Sequence, residues 1–250
     1  MIISELIAGI GNQMFEYAHG KALANQLNTS FKLDLSVLHS KKSKREYLLN
    51  DFLITASPAN WFEISMAKYI FRDSYLEGYF QGEKYFKGAE NDLRKEFVLK
   101  EPLEKKYSSL VREISESNSV SIQIRRSDYL AKADKYVILD KEYYKNAIGI
   151  ISQNIISPKF FFFTDDIQWT KENIPEAAYS TFITIEKYKS CDQLIFQSQC
   201  KHNIIANSTF SWWAAWLNKN KEKIVITPKK WFNDRTMSND DLYVPGWMKI

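Results

Sequence analysis

The chain has 250 residues, 45% of them hydrophobic, and a formal net charge of +4, which is enough apolar content to fill one large core or two smaller ones. No apolar run approaches the roughly 18 to 20 residues of a membrane-spanning helix. The mild positive charge, with a pI near 8.8, suits phosphate-bearing ligands or an anionic surface and is too small to imply nucleic acid.

From the N-terminus, residues 2–8 read as an apolar strand. Its Glu5 and the lack of a basic leader argue against a secretory signal, so a cytoplasmic location is expected. Gly9-Ile10-Gly11-Asn12-Gln13-Met14 follows as a strand-to-helix turn. It carries the first two glycines of a dinucleotide fingerprint, and Asp34 ends the next strand (31–35), but Met14 stands where a third glycine belongs. Asn12 suits a helix N-cap or, with Gln13, the hydroxyls of a ligand. The basic run Lys41-Lys42-Ser43-Lys44-Arg45 reads as a solvated loop. The polar segment from Glu101 to Asn118 marks a boundary between lobes 1–115 and 116–250. Strands over 120–124, 160–164, 203–206 and 224–227, with longer amphipathic segments between them, predict an α/β fold with mainly parallel sheets. The two cysteines, Cys191 and Cys200, and the three histidines, His19, His39 and His202, lack metal-ligand spacing. Buried reduced thiols and no metal site are expected.

Three strand ends carry the chemistry. Strand 120–124 runs into Arg125-Arg126-Ser127-Asp128-Tyr129, and charged groups at the C-terminal end of an α/β strand face the crevice where ligands bind. Side chains alternate along a strand, so if strand geometry persists Gln123 and Arg125 share one side and Arg126 and Asp128 the other. Arg125 is then expected on an anionic ligand and Arg126 held by Asp128, the alternative being an ion pair that merely caps the strand. Phe160-Phe161-Phe162-Phe163-Thr164-Asp165-Asp166 is a buried strand whose two acids divide into a helix N-cap and a free carboxylate for an NH-rich base edge such as guanine. Asn207-Ser208-Thr209-Phe210-Ser211 opens a helix whose hydroxyls and backbone N–H groups suit an anion. The alternative is ordinary capping by Ser208 or Thr209 ahead of a core helix rich in tryptophan.

Five segments together resemble glycosyltransferase family 11, the α-1,2-fucosyltransferases. They are Gly9 to Ala18, Gly78-Tyr79-Phe80-Gln81-Gly82-Glu83-Lys84-Tyr85-Phe86, Ile124 to Tyr129, Thr164-Asp165-Asp166, and His202 to Trp213, and the likeness extends to Pro245-Gly246-Trp247. The resemblance implies a GT-B-like fold of two Rossmann-like lobes facing across a cleft. It implies inverting, metal-independent transfer of L-fucose from GDP-β-L-fucose to the 2-hydroxyl of a terminal β-galactoside, in bacterial surface-glycan (O-antigen or capsule) synthesis. No cofactor beyond that donor substrate is implied, and the partners are GDP-fucose and a galactose-containing glycan. A lipid-linked acceptor would bring the enzyme into peripheral contact with the inner membrane.

In this reading the C-terminal lobe holds the donor through Gln123, Arg125, Arg126, Asp165, Asp166, Asn207, Ser208, Thr209 and Ser211. The acceptor side uses Gly11, Asn12, Gln13, Tyr79 and Gln81, and Arg125, Asp128 and Asn12 carry the chemistry. Asp128, Glu16 and Asp165 are the candidate bases. Gln123 and Ser127 stand where the family usually has histidine and glycine, which implies altered donor affinity. Two other readings remain open: a different GDP-sugar or linkage on the same fold, and a catalytically silent glycan-binding protein.

Overall fold

The computed structural model describes residues 1–40, 45–71, 74–234 and 236–250. Most of the basic run, Lys41 to Lys44, lies outside the described residues. The chain divides into two compact units, Met1–Glu101 and Pro102–Ile250. The division falls before the expected 115/116 because the helix α4 defined below packs on a strand and a helix of the second unit.

Unit 1 is built on β1 (Ile2–Glu5), α1 (Ile10–Gln26), β2 (Phe31–Asp34), β3 (Ser57–Pro58), α2 (Trp61–Tyr69), β4 (Tyr75–Leu76) and α3 (Glu90–Glu96). The sheet order is β3-β2-β1-β4 and the pairings are parallel. The two-residue strands β3 and β4 escape sequence reading because they are too short to show alternation. Successive strands run from β1 to one side and then to the other, which puts a topological switch point between the C-terminal ends of β1 and β4.

Unit 2 contains α4 (Leu103–Glu116), β5 (Asn118–Ile124), α5 (Ser127–Leu130), α6 (Lys141–Asn154), β6 (Pro158–Thr164), α7 (Ile167–Asn173), β7 (Thr181–Ile183), α8 (Ser190–Gln199), β8 (His202–Ile204), α9 (Thr209–Leu217), β9 (Val225–Thr227) and β10 (Met248–Lys249). Its sheet order is β10-β9-β8-β5-β6-β7, with parallel pairings throughout. The switch point lies between β5 and β8.

The alternation of β5 separates two faces. Val120, Ile122 and Ile124 join Tyr144, Ala147, Ile148 and Ile151 of α6 in the apolar core. Ser121 and Gln123 face α8 instead, where a buried polar ladder satisfies them. Gln197 Nε2 donates to Gln123 Oε1 at 2.7 Å, and Asn203 Nδ2 donates to Ser121 Oγ at 2.7 Å. This alternating strand is thereby buried on both faces, its polar atoms paired as burial requires. Phe161, Phe162 and Phe163 are at most 1% exposed, each contributing about 2 to 3 kcal/mol of burial. Trp212, Trp213 and Trp216 of α9 are core, as the packing alternative holds, and Trp212 Nε1 donates to Leu242 O at 2.8 Å. Cys191 and Cys200 are buried free thiols.

Candidate active site

In unit 1 the expected residues gather at the β1/β4 switch point. Gly9 is the N-cap of α1 with extended φ and ψ, and a Cβ at Gly9 would meet nothing within 4 Å. The fold therefore does not require glycine there, whereas a ligand close to the backbone would. Ala8 has φ of 59°, a left-handed conformation that non-glycine residues adopt only when surrounding contacts impose it.

Two side chains of α1 hold that loop. Gln13 Nε2 donates to Ala8 O at 3.1 Å and to Glu46 O at 2.8 Å, and its Oε1 accepts from Leu48 N at 3.0 Å. Glu16 Oε2 accepts from Ile7 N at 2.9 Å. Both side chains are fully buried. Gln13 is thus corrected from an acceptor-side ligand to a loop anchor, since its amide is spent on backbone. Glu16 is corrected from a candidate base. Burial, opposed by the Ile7 bond and reinforced by the charge of Glu5, pushes its carboxyl up to about 9.

Asn12 does not cap the helix. Its Oδ1 accepts from Gln81 Nε2 at 3.0 Å, which leaves the amide NH₂ for another acceptor. Gln81 is delivered by the loop after β4, where Gly78 and Gly82 have φ of 144° and 146° and Phe80 has φ of 45°. The two glycines tolerate that backbone. His19 secures Phe80 by ring contact at 4.2 Å. Tyr79 of the same loop is exposed, and Gly11 is buried in the first turn of α1. Asp34 is buried and spends its carboxylate on the Tyr75 hydroxyl at 2.7 Å, the Ser36 amide at 2.8 Å and Lys68 at 3.4 Å.

In unit 2 the residues after β5, β6 and β8 meet at the β5/β8 switch point, but with other partners than expected. The strand stops at Ile124 and α5 begins at Ser127, so the strand alternation does not extend to Asp128. Arg125, not Arg126, pairs with Asp128 (Nη2 to Oδ1, 2.8 Å). Arg125 Nη1 also lies 3.1 Å from Asp165 Oδ2. Arg126 instead stacks on Trp169 at 3.9 Å, donates to Leu139 O at 3.4 Å and lies 3.5 Å from Asp166 Oδ2. Arg126 is held on all sides as a buttress, while Arg125 is the half-exposed cation of the strand end.

Asp166 is the N-cap of α7, accepting from Trp169 N at 3.0 Å, as read for one of the two acids. Asp165 is not free for a base edge, because its Oδ1 accepts from Arg126 N at 2.8 Å and Ser127 N at 3.4 Å. Gln123 is only 7% exposed. Its expected donor contact is corrected to packing, since strand alternation turns it toward α8.

After β8, Asn207 is buried and its Nδ2 donates to Val137 O and Trp231 O at 2.9 and 2.8 Å. Its amide NH₂ is thus spent on tying loops together, where a donor-binding role was expected. Ser211 Oγ is likewise turned inward, to Ala206 O and Ser208 O. Ser208 is the N-cap residue of α9 but makes no side-chain cap bond, and Thr209 opens the helix. The first N–H groups of that helix and the positive end of its dipole lie at this end of β8.

Sequence reasoning missed Tyr129 as a structural element of the site. Its hydroxyl donates to Asn207 O at 2.9 Å and its ring stacks on Tyr136 at 4.4 Å, joining the loop after β5 to the loop after β8. The aromatic pair, seven residues apart, was the available signal. Among the described residues no group of three or more His, Cys, Asp or Glu side chains is placed to hold a metal ion. Among them, no helix is long and apolar enough to cross a membrane.

Two units, each built on a parallel sheet with a switch point, make a GT-B-like α/β architecture. A family model, Glycosyl transferase family 11, matches residues 5–250, and the chain belongs to that family and is a glycosyltransferase. The alpha-1,2-colitosyltransferase of Escherichia coli is 29% identical, covering 100% of this chain and 99% of the relative. The O-antigen biosynthesis glycosyltransferase WbnK of Escherichia coli is 36% identical over 54% of this chain and 45% of its own length. Galactoside alpha-(1,2)-fucosyltransferase 2 of Mus musculus is 27% identical over 84% of this chain and 66% of its own. Among solved structures, the NodZ alpha-1,6-fucosyltransferase soaked with GDP-fucose shares the fold, with a TM-score of 0.53 at 12% identity over 86% of this chain and 91% of that one.

Proposed function

We propose that the protein transfers L-fucose from GDP-β-L-fucose to the 2-hydroxyl of a terminal β-galactoside, with inversion and without a metal, in the assembly of a bacterial surface glycan. The observation that carries the reading is the family match over nearly the whole chain, joined to relatives whose names share α-1,2 transfer. The geometry of unit 2 supports it. Departure of GDP concentrates negative charge on the diphosphate, and Arg125 together with the start of α9 at Ser208 and Thr209 is suited to meet that charge. Asp165 orients Arg125, and Arg126 with Asp166 supports the strand end from behind. Unit 1 is assigned the acceptor side, with the NH₂ of Asn12 on the reacting hydroxyl and Tyr79 and Gln81 beside it. Asp128 is the acid proposed to take the acceptor proton. A lipid-linked acceptor would place the enzyme at the inner face of a bacterial membrane.

A second donor is favoured by one specific observation, the full-length likeness to a colitosyltransferase. Colitose is L-fucose lacking the 3-hydroxyl. A site that hydrogen-bonds the 3-hydroxyl loses strongly on its removal, whereas a site that does not will accept both sugars. Initial rates with GDP-fucose, GDP-colitose and GDP-mannose, each offered with lactose, separate the readings. The proposal expects GDP-fucose to be preferred. Preference for GDP-colitose would replace the donor, and hydrolysis or transfer with GDP-mannose alone would remove both.

A further inference from the structure

The fork of Arg125 that a diphosphate would need is already occupied. Nη2 lies 2.8 Å from Asp128 Oδ1 and Nη1 lies 3.1 Å from Asp165 Oδ2. Both carboxylate atoms are buried, yet neither makes an aligned hydrogen bond. The arginine is therefore neutralised by proximity while its directional donors are not well used. An anion able to accept two parallel N–H bonds would serve those donors better than either acid does.

The two acids are held differently. Asp165 follows a central strand, has a side chain only 13% exposed and anchors the backbone N–H groups of Arg126 and Ser127. Asp128 lies in the four-residue helix α5, with its side chain 38% exposed. Counting Arg125 and Arg126 against Asp128, Asp165 and Asp166, the cluster carries a net charge of 2 − 3 = −1. With Asp128 in place the cluster is formally anionic, which opposes the ligand that its arginine would bind.

We propose that Asp128 is an internal stand-in for the donor diphosphate: it occupies Arg125 in the free protein and is displaced when a diphosphate takes the fork, while Asp165 stays and keeps the guanidinium aimed. The inference rests on the reading that unit 2 binds a GDP-sugar. In the free enzyme Asp128 shields the half-exposed Arg125, and the exchange lowers the affinity for GDP, which helps product leave. It also makes the Asp128 carboxylate available only once a donor is present.

The test is calorimetric titration of GDP, and separately of inorganic pyrophosphate, into the wild type, Asp128→Asn, Asp128→Ser and Asp165→Asn, with thermal melts on each sample. Removing one partly exposed like charge beside a bound anion is expected to tighten both ligands about tenfold in the two Asp128 variants. Asp165→Asn is expected to weaken both, because its Oδ1 still accepts the loop N–H groups but an NH₂ in place of Oδ2 no longer aims the Arg125 guanidinium. Asp128 variants that fold normally and bind GDP equally or more weakly overturn the exchange, since Asp128 would then be holding the arginine for the ligand. If the wild type binds pyrophosphate but not GDP, the nucleotide reading fails, and the exchange is still decided by pyrophosphate. Absence of binding by either anion in every protein overturns both.

Discussion

Glu16 offers a prediction whose sign and size follow from its surroundings. Its side chain has no exposure, one carboxylate oxygen accepts the Ile7 N–H, and the other has no hydrogen-bond partner. In the folded protein the group titrates near 9, against an ordinary value of 4.5. Between those values the unfolded chain binds fewer protons than the folded one, so stability falls as pH rises, by ~1.4 kcal/mol per pH unit. Protonated Glu16 fits its site fully below pH 4.5; the loss reaches about 3 kcal/mol at pH 7 and grows until the folded group itself ionises. Glu16→Gln keeps the shape and the acceptor for Ile7 but cannot ionise. The variant and wild type are expected to melt within about 2 °C of each other at pH 5. By pH 7.5, where the loss is about 4 kcal/mol, the variant should melt higher by roughly 8 to 16 °C, using ~2 to 4 °C per kcal/mol for a chain of this size. Circular dichroism melts from pH 5 to 9 measure this directly. Parallel curves for the two proteins would refute the neutral carboxyl. Turnover should remain within about twofold, because a buried protonated acid beside Ile7 is no base.

Five further substitutions, at four residues, and one chelator distinguish the remaining roles. Arg125→Ala is expected to lower turnover by roughly 10²-fold or more, the size of a lost transition-state donor, and Arg125→Lys to recover only part of it because a point charge cannot copy a fork; full recovery by lysine would remove the bidentate role. Arg126→Ala should chiefly cost stability, about 1 to 3 kcal/mol, through the lost Trp169 stack and Leu139 bond, and a fully stable but inactive variant contradicts the buttress. Asn12→Ala should reduce kcat with GDP affinity unchanged, and Gln81→Ala should do the same more weakly, the pair being non-additive in a double-mutant cycle; strict additivity separates them. Because charge on the departing diphosphate is assigned to Arg125 and the start of α9, transfer should survive EDTA, and loss of activity restored by Mn²⁺ overturns that assignment.

The sequence made legible what depends on periodicity and on strand ends. Alternating or continuous apolar runs located β1, β2, β5, β6, β8 and β9 to within a few residues, and the ends of β1, β5, β6 and β8 carried the residues now found at the two switch points. What could not be read is which polar group touches which. Two residues beyond β5 the backbone turns into α5, so extrapolating alternation exchanged the partners of Arg125 and Arg126. Gln13, Gln123, Asn207 and Ser211 have the chemistry of ligand-binding residues, yet each spends it on the protein's own backbone or on a buried neighbour. Composition cannot distinguish those uses, since both need a carboxamide or hydroxyl where burial leaves a polar atom to satisfy. The edge strands β3, β4, β7 and β10, two or three residues long, are fixed by pairing with distant neighbours and leave no local pattern.

The structure of the reaction product tests α-1,2 fucosyl transfer most directly. Purified protein incubated with GDP-β-L-fucose and lactose is expected to yield a trisaccharide whose NMR spectrum shows an α-anomeric fucose with a through-bond correlation from its C1 proton to galactose C2. A β-anomer, attachment at any other hydroxyl, or recovery of unchanged lactose from protein that binds GDP would contradict inverting α-1,2 transfer to a galactoside.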